Sequence, residues 1–148
     1  MGANDTRRAA RIVQACRAAH SVIHLDTSFL ISALLAGSPQ DQRLRTWLVD
    51  RTSLGVSAVA WAEFLCGPIT PEQLELANRI IGEPHAFGGD EARLASRLFN
   101  LGGRRRGSLI DCMIAATAIR TGAALATANP TDFRRFETLG LELARPTS

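Results

Sequence analysis

The sequence contains no lysine: all 17 basic residues among its 148 are arginine. That absence excludes chemistry requiring a side-chain amine, including a P-loop, a Schiff-base enzyme and a receiver-type phosphoacceptor with its lysine. Tyrosine is missing too, so interleaved base stacking has only six Phe and two Trp to draw on. Cysteine is scarce. Cys16, Cys66 and Cys112 are an odd count without a C-x-x-C pair, which argues against a disulfide framework or a zinc knuckle. They are expected to be reduced and buried, in a cytoplasmic protein. Long apolar runs are also lacking: the most apolar stretch, Leu109 to Ile119, is broken by Asp111 and falls well short of the roughly 18 residues of a membrane helix.

What is present suffices for one packed domain, with 46% hydrophobic and 21% charged residues. A net charge of +3 and a pI near 9.3 permit a polyanionic partner without committing the chain to one.

Along the chain, residues 1–20 read as an Arg/Ala-rich helical extension, with Asp5 as its N-cap, and residues 21–148 as the main domain. Strands are expected at 22–26, 54–57, 85–87 and 123–126, with a weak fifth at 141–143. Helices fill the intervals. Thr27 and Ser28 cap the first of them, Ser38-Pro39 and Thr70-Pro71 are N-cap and first-position signals, and Gly67, Gly82 and Gly122 are stops. Short apolar strands alternating with helices of about three turns argue for βαβ units around a parallel sheet, helices covering both faces. In such sheets, sites gather beyond the carboxyl ends of the strands.

Acidic or polar clusters follow several of those strands. Asp26 ends an apolar strand, where a carboxylate must be solvated, paired or metal-bound; a helix cap explains it equally well. Glu63 is the sole charge in Ala58–Cys66, with no basic partner at helical spacing, so burial around a metal or polar network competes with plain exposure. Asp111 follows Ser108 at capping-box spacing but opens the most apolar helix. Asn129 caps a short helix with Pro130 in first and Asp132 in third place, or offers one more oxygen. Taken together, these hard oxygen donors without His or Cys select Mg²⁺ or Mn²⁺ over zinc, because carboxylates brought together without a cation repel. Such equipment suits phosphoryl transfer to water.

The stretches Leu25-Asp26-Thr27-Ser28-Phe29-Leu30, Trp61-Ala62-Glu63-Phe64-Leu65, Asp111 to Ala118 and Ala126-Thr127-Ala128-Asn129-Pro130-Thr131-Asp132-Phe133 resemble the ordered motifs of PIN domains, and most nearly those of VapC-like ribonuclease toxins of toxin–antitoxin pairs. The resemblance spans about residues 22–145. It implies an α/β fold, a three-layer α/β/α sandwich with a five-stranded parallel sheet, an acidic Mg²⁺ (or Mn²⁺) site, an RNA substrate, a homodimer and a cognate antitoxin. Asp26, Glu63, Asp111 and Asp132 then fall on the catalytic and metal positions. Ser28, Thr127 and Asn129 are support residues, Asn129 standing where some members carry an acid, and Asp90 falls on a helix-opening acid read as a cap.

Rival spellings fail. Asp26-Thr27-Ser28-Phe29-Leu30 lacks the last serine of a MIDAS site, Ser28 stands where a haloacid dehalogenase needs a second Asp, and Val59 replaces the glycine of a nucleophile elbow at Ser57. The competing class is a catalytically inactive PIN domain that binds RNA or protein. Arg104-Arg105-Arg106, between glycines ahead of Asp111, is a candidate phosphate grip or a solvated loop. Trp47 and Trp61 are assigned to the core, and His20, His24 and His85 to surface or packing.

Overall fold

The computed structural model describes residues 5–9, 11 and 22–146. Residues 5–9 and 11 are helical; the rest of the expected 1–20 extension, Cys16 and His20 included, lies outside the described residues. The main domain runs β1 (Ile23–Leu25), α1 (Thr27–Ala33), α2 (Pro39–Val49), β2 (Leu54–Gly55), α3 (Ala58–Cys66), α4 (Pro71–Ile81), α5 (Gly89–Leu101), α6 (Leu109–Thr121), β3 (Ala124–Ala126), α7 (Pro130–Phe133), a 3₁₀ turn (Arg134–Leu139) and β4 (Glu142–Leu143).

All pairings are parallel, in the order β2-β1-β3-β4. Successive strand residues point to opposite faces, yet every residue of β1 and β3 is buried, so helices cover both sides and the sandwich has three layers. The core gathers Leu25, Phe29, Leu30, Val56, Phe64, Leu125, Phe133 and Phe136. Trp47 belongs to it, stacked 5.4 Å from Phe29, whereas Trp61 is half-buried against Phe64.

The sheet has four strands rather than five. The expected strand at 85–87 contracts to an isolated bridge, Ser57 to His85, held by Ala58 N–H on the His85 carbonyl (2.7 Å) and His85 N–H on the Val56 carbonyl (2.8 Å). Pro84 before it and Gly88-Gly89 after it leave one residue in register.

The capping signals act largely as read. The Ser38 hydroxyl accepts from Asp41 N–H, and Thr70 with Gln73 forms a complete capping box. Asp26 caps α1, in line with its helix-cap reading, and Thr27 and Ser28 donate to it rather than capping the helix themselves; one expectation is corrected, since Asp90 pairs with Arg93 and Arg120 while Glu91 accepts from the Gly88 N–H. Cys112 is buried as expected, but Cys66 is exposed.

The histidines show more than incidental packing. His24 is buried in β1, its ring 4.7 Å from that of His85, with Nδ1 sealed and unpartnered. An added Cβ at Gly55 would come within 3.2 Å of this ring, which explains the glycine in the neighbouring strand. Burial, reinforced by His85, lowers the His24 pKa from 6.5 to about 4. Because the fold disfavours the charged form, His24 contributes stability that is complete above pH 6.5 and lost as pH falls toward 4, about 3 kcal/mol over the window. Urea unfolding at pH 7 and pH 4.5 checks this: His24→Leu should lose markedly less stability between the two than the wild type, and equal losses would remove His24 as the cause.

Candidate active site

The site begins with one strand pairing. Asp26 N–H donates to the Ala126 carbonyl at 2.8 Å, continuing the β1–β3 ladder by one residue and setting Asp26 beside Thr127 at the carboxyl edge of the sheet. The Asp26 carboxylate, only 5% exposed, then collects three donors: Thr27 N–H on Oδ1, and the hydroxyls of Ser28 and Thr127 on Oδ2, each at 2.8 Å. Ser28 Oγ in turn accepts from Ala128 N–H at 3.1 Å, and Thr127 Oγ1 from Asn129 N–H at 3.0 Å. Two strand ends are thereby knitted through one carboxylate. Burial pushes the Asp26 pKa up and the three hydrogen bonds oppose it, while nearby Asp132 adds to the rise.

Glu63 is exposed on α3 rather than buried, and its order comes from Thr27, whose Oγ1 donates to Glu63 Oε1 at 2.9 Å. The same hydroxyl lies 3.1 Å from the Ala60 carbonyl, so its single proton is shared between two acceptors. Thr27 was read from sequence only as a helix cap; its bridging role depends on a contact 36 residues apart that local patterning does not encode.

Asp111 lies half-buried in the first turn of α6. The capping-box account fails here: the Ser108 side chain makes no cap bond and its hydroxyl donates instead to the Arg105 carbonyl at 2.6 Å. The Asp111 pKa rises from 3.8 to about 6, first through burial and then through the negative charges of Asp26, Asp132 and Glu63, with Arg135 alone pulling it down. All four sequence-selected acids therefore share one electrostatic neighbourhood. They do not close into a ready cage, since among the described residues no three His, Cys, Asp or Glu stand close enough to hold an ion. Hydroxyl and amide donors pin Asp26, and a hydroxyl pins Glu63, where they are.

Asn129 is exposed and makes no side-chain cap bond to α7; its backbone carbonyl accepts from Asp132 N–H at 3.1 Å instead. The N-cap expected there is corrected: with φ −121° and ψ 67°, Asn129 lies outside the usual cap conformation. Arg104, Arg105 and Arg106 lie in the exposed loop between α5 and α6, Arg104 with φ +52°, and none of them figures among the charges acting on Asp111. Arg135, which does, was missed in the sequence because it follows the last motif by two residues.

The family model of the PIN domain matches residues 23–139. Among solved structures, VapBC2 from Rickettsia felis, bound to a DNA fragment from its promoter, is similar with a TM-score of 0.66 at 20% identity, covering 85% of this chain and 99% of that chain. A toxin–antitoxin complex from Klebsiella pneumoniae gives 0.60 at 25% identity over 76% of this chain and 90% of that chain. Mycobacterium tuberculosis VapC20, a sarcin–ricin loop cleaving toxin, gives 0.58 at 16% identity over 84% and 99%. No curated protein matches the sequence.

The hydroxyl network generates a test by melting. Thr127→Val keeps the side-chain shape but removes a donor from a buried carboxylate and an acceptor from Asn129 N–H, and should cost about 1–3 kcal/mol. Asn129→Ala should cost less than about 0.5 kcal/mol, because no cap bond is lost. A larger loss at Asn129 than at Thr127 would reverse the account of this edge.

Proposed function

The chain belongs to the PIN-domain family, and from that premise we propose that it is a divalent-metal-dependent endoribonuclease, the toxin of a toxin–antitoxin pair. The observation that supports the reading is the buried Asp26 carboxylate at the carboxyl edge of the sheet, held by Thr27, Ser28 and Thr127, whose charge acts on Asp111 together with those of Asp132 and Glu63. The donor set fits Mg²⁺ or Mn²⁺: hard oxygens only, and an Asp111 held near pKa 6 first by burial and then by the charges of the other acids. Asp26, Asp111 and Glu63 would hold the cation. Asp132 is the favoured fourth group over Asn129, because its charge acts on both Asp26 and Asp111 whereas an amide brings none. A cation bound there supplies activation of water and neutralisation of charge building on the phosphate. The protein's share is orientation: Ser28 and Thr127 fix one oxygen of Asp26, and Thr27 fixes Glu63.

RNA is the substrate of this reading, an antitoxin its partner and a homodimer its assembled form; the antitoxin is supported by the likeness to the VapBC and toxin–antitoxin structures. Among the described residues no helix is long and apolar enough to cross a membrane; with such a substrate and partner, the protein acts in the cytoplasm. Arg104, Arg105 and Arg106, exposed in the loop leading into α6, serve the RNA backbone.

Two experiments test this. Purified protein should cut RNA only with Mg²⁺ or Mn²⁺, leaving 5′-phosphate and 3′-hydroxyl ends because water is the nucleophile. Cleavage in excess chelator, or cyclic phosphate ends, would refute the hydrolytic reading; no cleavage with either metal would favour a non-catalytic binding module. Asp111→Asn should nearly abolish turnover while stabilising the metal-free protein. The sign follows from a raised folded pKa: the stability that protonated Asp111 retains below pH 3.8 is lost as pH rises through about 6. The gain in melting temperature should therefore be largest above pH 6 and vanish below about 4, and a pH-independent gain would show that charge is not its source.

A further inference from the structure

A cavity of about 550 Å³ opens at the amino edge of the sheet, opposite the end that carries Asp26. Ile23, the first residue of β1, and Glu142, the first of β4, fix its place, and Trp47 and Leu141 give it apolar walls. Asp50 at the end of α2, Glu137 in the 3₁₀ turn and Glu142 line it with negative charge, which only Arg145 opposes. All four charged residues are exposed, and among the described residues none of the three acids enters a salt bridge. A hollow that is acidic at the rim and apolar within suits a basic amphipathic segment.

The chain delivers such a segment to the mouth. Ile23 N–H donates to the Ser53 carbonyl at 2.9 Å and the Val22 carbonyl accepts from Ala124 N–H at 3.0 Å, so the backbone is anchored as far as Val22, beside the lining residue Ile23. Ahead of that anchor, residues 1–21 carry Arg7, Arg8, Arg11 and Arg17 against one acid, Asp5, and Ile12, Val13, Cys16 and Ala19 recur at helical spacing. Arg7, Arg8 and Arg11 are exposed on the described part of the extension. The whole segment precedes the residues that match the PIN family.

We propose that residues 12–20 are the occupant of this cavity, setting Ile12, Cys16 and Ala19 against Trp47 and Leu141 and bringing Arg11 and Arg17 to the acids of the rim. Nine residues span about 14 Å as a helix, enough to cross a hollow of this size. Because the segment is tethered two residues from the mouth, docking is intramolecular and avoids the entropy cost of bringing two molecules together. Its position seals the base of the sheet and leaves the acidic edge open, so the contact is independent of the metal reading of that edge.

The native cysteines supply the probe. The full chain is alkylated with iodoacetamide, and the rate at each cysteine, read by peptide mass spectrometry, is divided by its rate in denaturing urea. Cys16 should react roughly tenfold or more slowly than the exposed Cys66. Glu137→Arg/Glu142→Arg should bring Cys16 close to the Cys66 rate while the buried Cys112 stays protected, which certifies the fold. Adding Arg11→Glu/Arg17→Glu to that variant should restore slow labelling. Should the reversal expose Cys112 as well, Glu137→Gln/Glu142→Gln takes its place and should speed Cys16 alone, by a smaller factor. Wild-type Cys16 as reactive as Cys66, slow labelling that neither rim variant changes, or a charge swap that fails to restore protection overturns the proposal. Protection that grows with protein concentration overturns it too, by assigning the segment to a second copy.

Discussion

The site depends on satisfying one buried carboxylate at the end of a buried strand. Asp26 loses nearly all its water, and only its three donors make that tolerable. Two of those donors come from α1 and one from the segment after β3, so the carboxylate fixes where the first helix starts and how closely the loop beyond β3 approaches. That loop leads into α7 and Asp132, while Thr27 of the same helix start reaches Glu63 on α3. Elements distant in sequence are thus referred to a single group, and a large fraction of the local hydrogen bonding serves to keep acids near each other.

Keeping them near is costly without a cation. Burial and mutual repulsion lift Asp111 to about 6, and the acids stop short of a closed ligand cage. Arg135 partly offsets the excess. A site built in this way is poised: stable enough to fold empty, and left with unneutralised charge that a divalent ion would relieve. The rest of the molecule, with Phe29, Phe64, Phe133 and Phe136 fully buried around the sheet, supplies the stability from which this local strain is met.

The sheet, its parallel sense and most helix boundaries were legible because the signals are local: apolar triplets, Ser-Pro and Thr-Pro starts, glycine stops. The strand at 85–87 was legible in composition but not in extent, since Pro84 and Gly88 limit pairing to one residue. Asn129 carried a cap signature that its own backbone angles rule out. Among site residues, the four acids were visible as charges in apolar settings. Thr27 and Arg135 were not, since a hydroxyl at a helix start and an arginine in a turn are ordinary until the fold brings Glu63 against the first and the second within range of the Asp111 charge. The exposed Cys66 was misread for a related reason: α3 is apolar on more than the face it buries.

The central claim is that the four acids form one cation site in which burial, and then neighbouring negative charge, raises the Asp111 pKa. Calorimetric Mn²⁺ titration at pH 6 in buffers of different ionisation enthalpy reads this directly, because binding must expel whatever proton the raised Asp111 carries. The account predicts release of a substantial fraction of a proton per Mn²⁺ at pH 6, fading to nearly none at pH 7.5. Binding with no proton release at pH 6, or no binding at either pH, would contradict it.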